Sequence, residues 1–250
     1  MKFFRLLLVL GVLLPASLHA EKITIAAASD LKFAMDELIL AFTQAHPADE
    51  VEPVYGSSGT FNAQIQQGAP FDLYFSADIA YPRALAAAGF AASEVQPYAV
   101  GRIVLWSAEY DASSMTLADL ADARFARIAI ANPLHAPYGQ RAEQALRTSG
   151  MWEQLEPKLV YGESIAQTAQ FVQTGAAQIG IIALALAMSP ELASEGGYFL
   201  IPDTLHDPLK QGFIITQRAA NNIAAARFAA YMQTESARNV LVRHGFVLPE

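Results

Sequence analysis

Two short segments carry hydroxyls where a strand pattern gives way to a helix pattern: Ala28-Ser29-Asp30 and Gly56-Ser57-Ser58-Gly59-Thr60. The start of a helix exposes backbone N–H groups without intrahelical acceptors and carries the positive end of the helix dipole. A serine there adds an O–H donor to a place already suited to an anion. Glycine on both sides of Ser57-Ser58 lets the backbone approach a ligand closely. Neither corner contains Lys or Arg, and the nearest are Lys32, on the polar side of its helix pattern, and Arg83. A set of hydroxyls and amides suits a small, fully deprotonated ion, because none of these donors needs a protonated oxygen as its partner. Ordinary capping by Ser and Thr is the other reading of each corner, and the local pattern leaves both open.

Residues for other chemistries are missing or scattered. The chain has no cysteine, which removes thiol nucleophiles and the usual structural zinc clusters. It has no G-x-S-x-G elbow, no H-E-x-x-H and no P-loop. His46, His135, His206 and His244 stand far apart and read as surface or turn residues. Asp72, Asp78 and Glu163 are conceivable acid–base partners, but loop carboxylates in such positions more often cap backbone amides. The formal charge is −8, two units more negative without Lys2 and Arg5, and no basic stripe is present. That balance argues against a nucleic-acid partner. A binding protein rather than an enzyme is expected, with no cofactor.

The elements that must position the corners follow from periodicity. Ile23-Thr24-Ile25 reads as a strand, and Leu31, Ala34, Met35, Leu38, Ile39 and Phe42 give one apolar helix face. Val51 to Tyr55 is a second strand, followed by a short helix from Phe61 to Gln67 closed by Gly68. Asp72 to Phe75 is a third, with a helix through Pro82 to Gly89. Three strand-to-helix units in succession predict an α/β fold with a mainly parallel sheet. A second block starts with a strand at 102–106. It continues with a helix at 117–120, a strand at 127–131, helices at 138–147 and 165–173, and an apolar strand at 178–182. After a buried helical turn at 183–188, strands are expected at 198–201 and 212–216. The chain closes with helices at 223–232 and 235–244, Thr234 being the N-cap and Gly245 the C-cap.

Lys2 and Arg5, the apolar run Leu6 to Leu14 and the small-residue end Pro15 to Ala20 have the layout of a secretory signal peptide cleaved after Ala20. The remainder divides into lobe I, residues 21–98 and 213–250, and lobe II, residues 99–212. Short strand-like crossings near Pro97 to Gly101 and Lys210 to Phe213 join them. The chain is expected to act as a monomer in the periplasm.

The stretches ITIAAASDLKFAMDEL (23–38), YGSSGT (55–60), QGAPFDLYFSAD (67–78), NPLHAPYGQRAEQAL (132–146) and VRHGFVLP (242–249) together resemble the periplasmic molybdate-binding proteins of ABC importers. The resemblance runs in order through nearly the whole chain after the leader. It implies a two-lobed Venus-flytrap fold, each lobe a mainly parallel sheet flanked by helices. It also implies that the lobes enclose molybdate or tungstate and that the protein docks on a membrane permease. Matched motif to motif, Ser29 and Ser58 take hydroxyl-plus-amide positions, Ala77 supplies a backbone N–H, and Tyr138 and Ile165 supply backbone N–H groups from lobe II. One position departs: Ala183 stands where many members have a tyrosine whose hydroxyl reaches the oxyanion. Sulfate or another tetrahedral oxyanion is the alternative ligand. An organic anion or metal chelate in the same cleft is a further binding reading, and a hydrolase of small phosphorylated or acylated compounds is the alternative from another class.

Overall fold

A computed structural model describes residues 21–249; the expected signal peptide lies outside the described residues. The chain builds two five-stranded sheets of the same plan. In the first, β1 (Lys22–Ala28) lies between β2 (Glu50–Gly56) and β3 (Leu73–Ser76), all three parallel. Next to β3 runs β10 (Leu209–Ile215), antiparallel, and β4 (Gln96–Gly101) forms the far edge. In the second, β6 (Ile128–Ala131) lies between β7 (Leu159–Gly162) and β8 (Ile179–Ala183), again parallel. There β5 (Ile103–Trp106) pairs antiparallel with β8, and β9 (Tyr198–Leu200) closes the edge. Each sheet is therefore mixed, a parallel trio extended by two strands.

Helices follow the parallel strands. In the first lobe these are α1 (Lys32–Ala45), entered through a 3-10 turn at Ser29–Leu31, α2 (Ser58–Gln66) and α3 (Ala80–Ala87). The second carries α4 (Pro137–Thr148), α5 (Trp152–Leu155), α6 (Ile165–Gln173) and α7 (Leu184–Ala187). The chain then returns to the first lobe with α8 (Ile223–Tyr231) and α9 (Glu235–Arg243). The apolar face of α1, through Ala34, Met35, Leu38 and Phe42, is buried with Phe75, Phe213 and Phe228, and Phe75 stacks on Phe213 at 4.6 Å. The second core centres on Trp106, Phe125 and the β6 and β8 side chains. Both are buried runs of the kind expected for sheets covered by helices.

The segments expected as crossings are β4 and β10 themselves, paired antiparallel from Leu209 opposite Gly101, so boundaries at 98/99 and 212/213 fall inside strands of the first sheet. The chain leaves that sheet through Arg102 alone and returns through residues 201–208, which include a 3-10 turn at Asp203–Leu205. The helix expected from Phe61 begins three residues earlier, at Ser58, so the serine is inside the helix start rather than ahead of it. Between 117 and 121 the turn is 3-10, opened by a reciprocal bond pair between Thr116 and Asp119.

Candidate oxyanion site

The carboxyl ends of β1, β2 and β3 and the starts of α4 and α6 meet between the sheets around a cavity of about 10 Å³, room for one water-sized centre. Its wall contains all five residues singled out from sequence, Ser29, Ser58, Ala77, Tyr138 and Ile165, together with Ala28, Asp30, Gly56, Ser57, Ala136 and Pro137. Wider clefts, of about 460 and 530 Å³, open elsewhere. They touch none of these five residues.

Of the four helix starts at this cavity, three lack a side-chain cap, and only α6 has one, from Ser164. Ala28 precedes the 3-10 turn and Ala136 precedes α4, and neither has a side chain able to cap. Ser57 holds the N-cap position of α2 but makes no capping bond; its hydroxyl donates instead to the carbonyl of His135 at 2.5 Å. Elsewhere Asn222 caps α8 by accepting from Ala225 N–H and Thr234 caps α9 by accepting from Ala237 N–H, while α3, α5 and α7 start without a side-chain cap as well. An alanine in place of a capping residue costs a helix about 1 kcal/mol. Some amides at these starts are met by the protein itself, Gly59 N–H by the His135 carbonyl and Ala166 N–H by the Ser29 hydroxyl, and a bound anion would meet the amides beside them.

Neither key serine is an ordinary cap. The Ser58 hydroxyl accepts from Ala77 N–H at 3.0 Å, and the Ser29 hydroxyl accepts from Ala166 N–H of the second lobe at 3.1 Å. A hydroxyl that accepts one bond still has its own hydrogen to donate. The Ala77 amide, expected to face the ligand, is already bonded to Ser58, so the two form one unit. Ser164 caps α6 by accepting from Gln167 N–H, which leaves Ile165 at the first position of that helix.

Several interface residues were not singled out from sequence. His135, read as a surface or turn residue, lies between the lobes: its carbonyl accepts from Ser57 and, at 2.9 Å, from Gly59 N–H, while its ring meets Glu163 at 3.2 Å. Asp30 is 1% exposed and accepts at Oδ2 from Tyr138 O–H and Gln211 Nε2, each at 2.8 Å. Burial pushes its carboxyl up to about 6, although the bonds from Gln211 and Tyr138 pull it down. Burial likewise raises the Tyr138 phenol well above its ordinary range. Arg141 on α4 pairs with Asp78 across the lobes at 3.3 Å. Sequence offers a signal for Asp30, a charged residue inside the serine corner, but none for Gln211 or His135.

The remaining candidates have structural partners. Asp72 accepts from Thr24 N–H at 2.8 Å and pairs with Arg218, and Asp78 accepts from Ala80 N–H at 2.9 Å. Lys32 pairs with Asp36 on the exposed face of α1. Ala183 is buried at the end of β8 and is not part of the cavity wall. Among the described residues no group of three His, Cys, Asp or Glu side chains is placed to hold a metal ion, and no helix is long and apolar enough to cross a membrane.

Comparison with known proteins places this geometry in a family. The chain is 35% identical to the molybdate-binding protein of Rhodobacter capsulatus over 97% of its own length and 94% of that protein. It is 34% identical to the molybdate-binding protein of Azotobacter vinelandii, covering 98% and 97%. The solved structure of the A. vinelandii periplasmic molybdate-binding protein superposes with a TM-score of 0.84 at 31% identity, over 91% of this chain and all of that one. Residues 23–247 match the family model described as bacterial extracellular solute-binding protein. The chain belongs to the bacterial extracellular solute-binding proteins, with the two-lobed α/β fold of that family.

Proposed function

We propose that this protein captures molybdate between its lobes and delivers it to the membrane permease of an ABC importer, without chemistry of its own. The observation that carries the reading is the convergence of four helix starts from both lobes on one small cavity, backed by the hydroxyls of Ser29 and Ser58. Ser29 and Ser58 donate O–H and N–H groups, Tyr138 and Ile165 add backbone N–H groups, and Ala77, expected as a further amide donor, acts through the Ser58 hydroxyl that its N–H holds. Two of these five residues come from the second lobe, so the donors are assembled only when the lobes meet. A ligand bonded to both lobes therefore favours the closed arrangement. Exclusion of water strengthens each bond. Tungstate, with the same shape and charge, binds in the same way.

The lobes are proposed to part at Arg102 and residues 201–208. The protein is further proposed to act as a monomer in the periplasm after cleavage behind Ala20. Calorimetric titration with molybdate, tungstate, sulfate and phosphate tests the ligand assignment. Tight binding of the first two and weak binding of phosphate is expected. Phosphate binding as tightly as molybdate at neutral pH overturns it, and turnover of a phosphate ester favours the hydrolase.

A further inference from the structure

The residue after each key serine differs, and one of the two is ionisable. Asp30 follows Ser29 and lines the same cavity. Its Oδ2 is committed to Tyr138 and Gln211, whereas Oδ1 is buried with no hydrogen-bond partner. An ionised carboxylate in that wall repels a dianion across a short, poorly screened distance. A neutral carboxyl at the same place has an O–H to donate.

We propose that Asp30 is a proton-carrying member of the ligand site: one proton is taken from solvent as the oxyanion binds, and Oδ1–H donates it in a hydrogen bond to an oxygen of the ion. The proposal rests on the reading that this cavity holds an oxyanion. No cationic side chain faces the carboxylate; the donors Gln211 and Tyr138 and the backbone amides of Asp30 and Leu31 favour its ionised form, and burial outweighs them. From α4 comes Tyr138, a neutral donor, while Arg141 on that helix is engaged by Asp78 and Arg147 by Glu143. From β4 comes Tyr98, whose phenol burial raises well above its ordinary range, with Tyr74 of β3 beyond it. From β10 comes the uncharged Gln211, its neighbour Lys210 being exposed. The facing helices α6 and α7 contain no titratable side chain, and Lys32 of α1 pairs with Asp36 in solvent. Burial has already moved the carboxyl up to about 6, and a neighbouring anion pushes in the same direction. The neutral acid serves as a donor, as carboxyls do in other apolar sites. Gly101 keeps the arrangement compact, since a Cβ there would lie 2.2 Å from the Tyr138 hydroxyl and 2.7 Å from Gln211 Nε2.

The test is calorimetric titration of the purified protein with sodium molybdate between about pH 6 and pH 8.5, each pH in two buffers of different ionisation enthalpy. Expected for the parent is uptake of about one proton per ion near pH 7.5, with affinity falling about tenfold per pH unit at the alkaline end. Asp30→Asn should bind without uptake and with affinity independent of pH. Infrared difference spectra of the parent should show a protonated carboxyl appearing with the ion, a readout that does not depend on the variant folding. Tight molybdate binding with buffer-independent heat overturns the proposal while leaving the molybdate reading intact. Proton uptake that persists in Asp30→Asn also overturns it, because another group then carries the proton. Failure of molybdate to bind at every pH overturns this proposal together with the reading beneath it.

Discussion

The first and second serine corners look alike in sequence, yet they meet the second lobe by different means. Ser29-Asp30 reaches across with side chains, the Ser29 hydroxyl to Ala166 N–H and the Asp30 carboxylate to Tyr138. Ser58-Gly59 reaches across with backbone, Gly59 N–H to the His135 carbonyl, and keeps the Ser58 hydroxyl within its own lobe on Ala77. Ser29 thus joins the lobes directly, while Ser58 stays within its own lobe and leaves the crossing to its neighbours Ser57 and Gly59, both bonded to the His135 carbonyl. The same residue type at the same kind of strand-to-helix corner serves as a link between lobes in one case and as internal support in the other.

The sharpest way to break this comparison is at Gly59, where a Cβ would lie 2.6 Å from the His135 carbonyl oxygen. Gly59→Ala should favour α2 locally but hold the lobes apart. The expected result is a loss of molybdate affinity of at least about a hundredfold with an unchanged circular dichroism spectrum. Parent-like binding would show that backbone docking of this corner is dispensable.

The serines come next. Loss of a hydroxyl that donates to a charged oxygen costs about 1.5–3 kcal/mol, so Ser29→Ala and Ser58→Ala should each weaken binding about ten- to hundredfold by calorimetry. Only Ser29→Ala should also shift the ligand-free protein toward a more open form in small-angle scattering. An equal shift in both variants removes the distinction between the corners.

Asp30 adds a pH signature to the first corner. Its folded-state carboxyl titrates at about 6 against an ordinary 3.8, so the folded protein binds this proton more tightly than the unfolded chain. Its contribution to stability is fully present below 3.8 and is lost as pH rises toward about 6. Urea unfolding at about pH 4 and about pH 7 should show Asp30→Asn gaining about 2 kcal/mol relative to the parent between the two conditions. A constant difference would mean that the carboxyl titrates normally. Smallest of all, Lys32→Ala removes only an exposed pair with Asp36 and should change molybdate affinity by less than about twofold; a large loss would call for a charge-based site.

Local signals account for what was legible in sequence. The i, i+3, i+4 apolar face of α1, the cap Thr234 of α9 and the terminating glycines Gly68 and Gly245, both at positive φ, depend on neighbours within a turn or two. The serine corners were legible for the same reason, and family resemblance supplied Tyr138 and Ile165. The strand-like crossing read near Pro97 to Gly101 is β4, where proline is tolerated because β4 is an edge strand. The short edge strand β7 was missed. Only the tertiary structure decided that Asp30 would meet Tyr138 and Gln211, 108 and 181 residues away, and that Ser57 would turn from its own helix to the His135 carbonyl. Those partners depend on how two separately folded sheets approach each other, and a hydrogen bond formed across that approach leaves no periodic trace in the chain on either side.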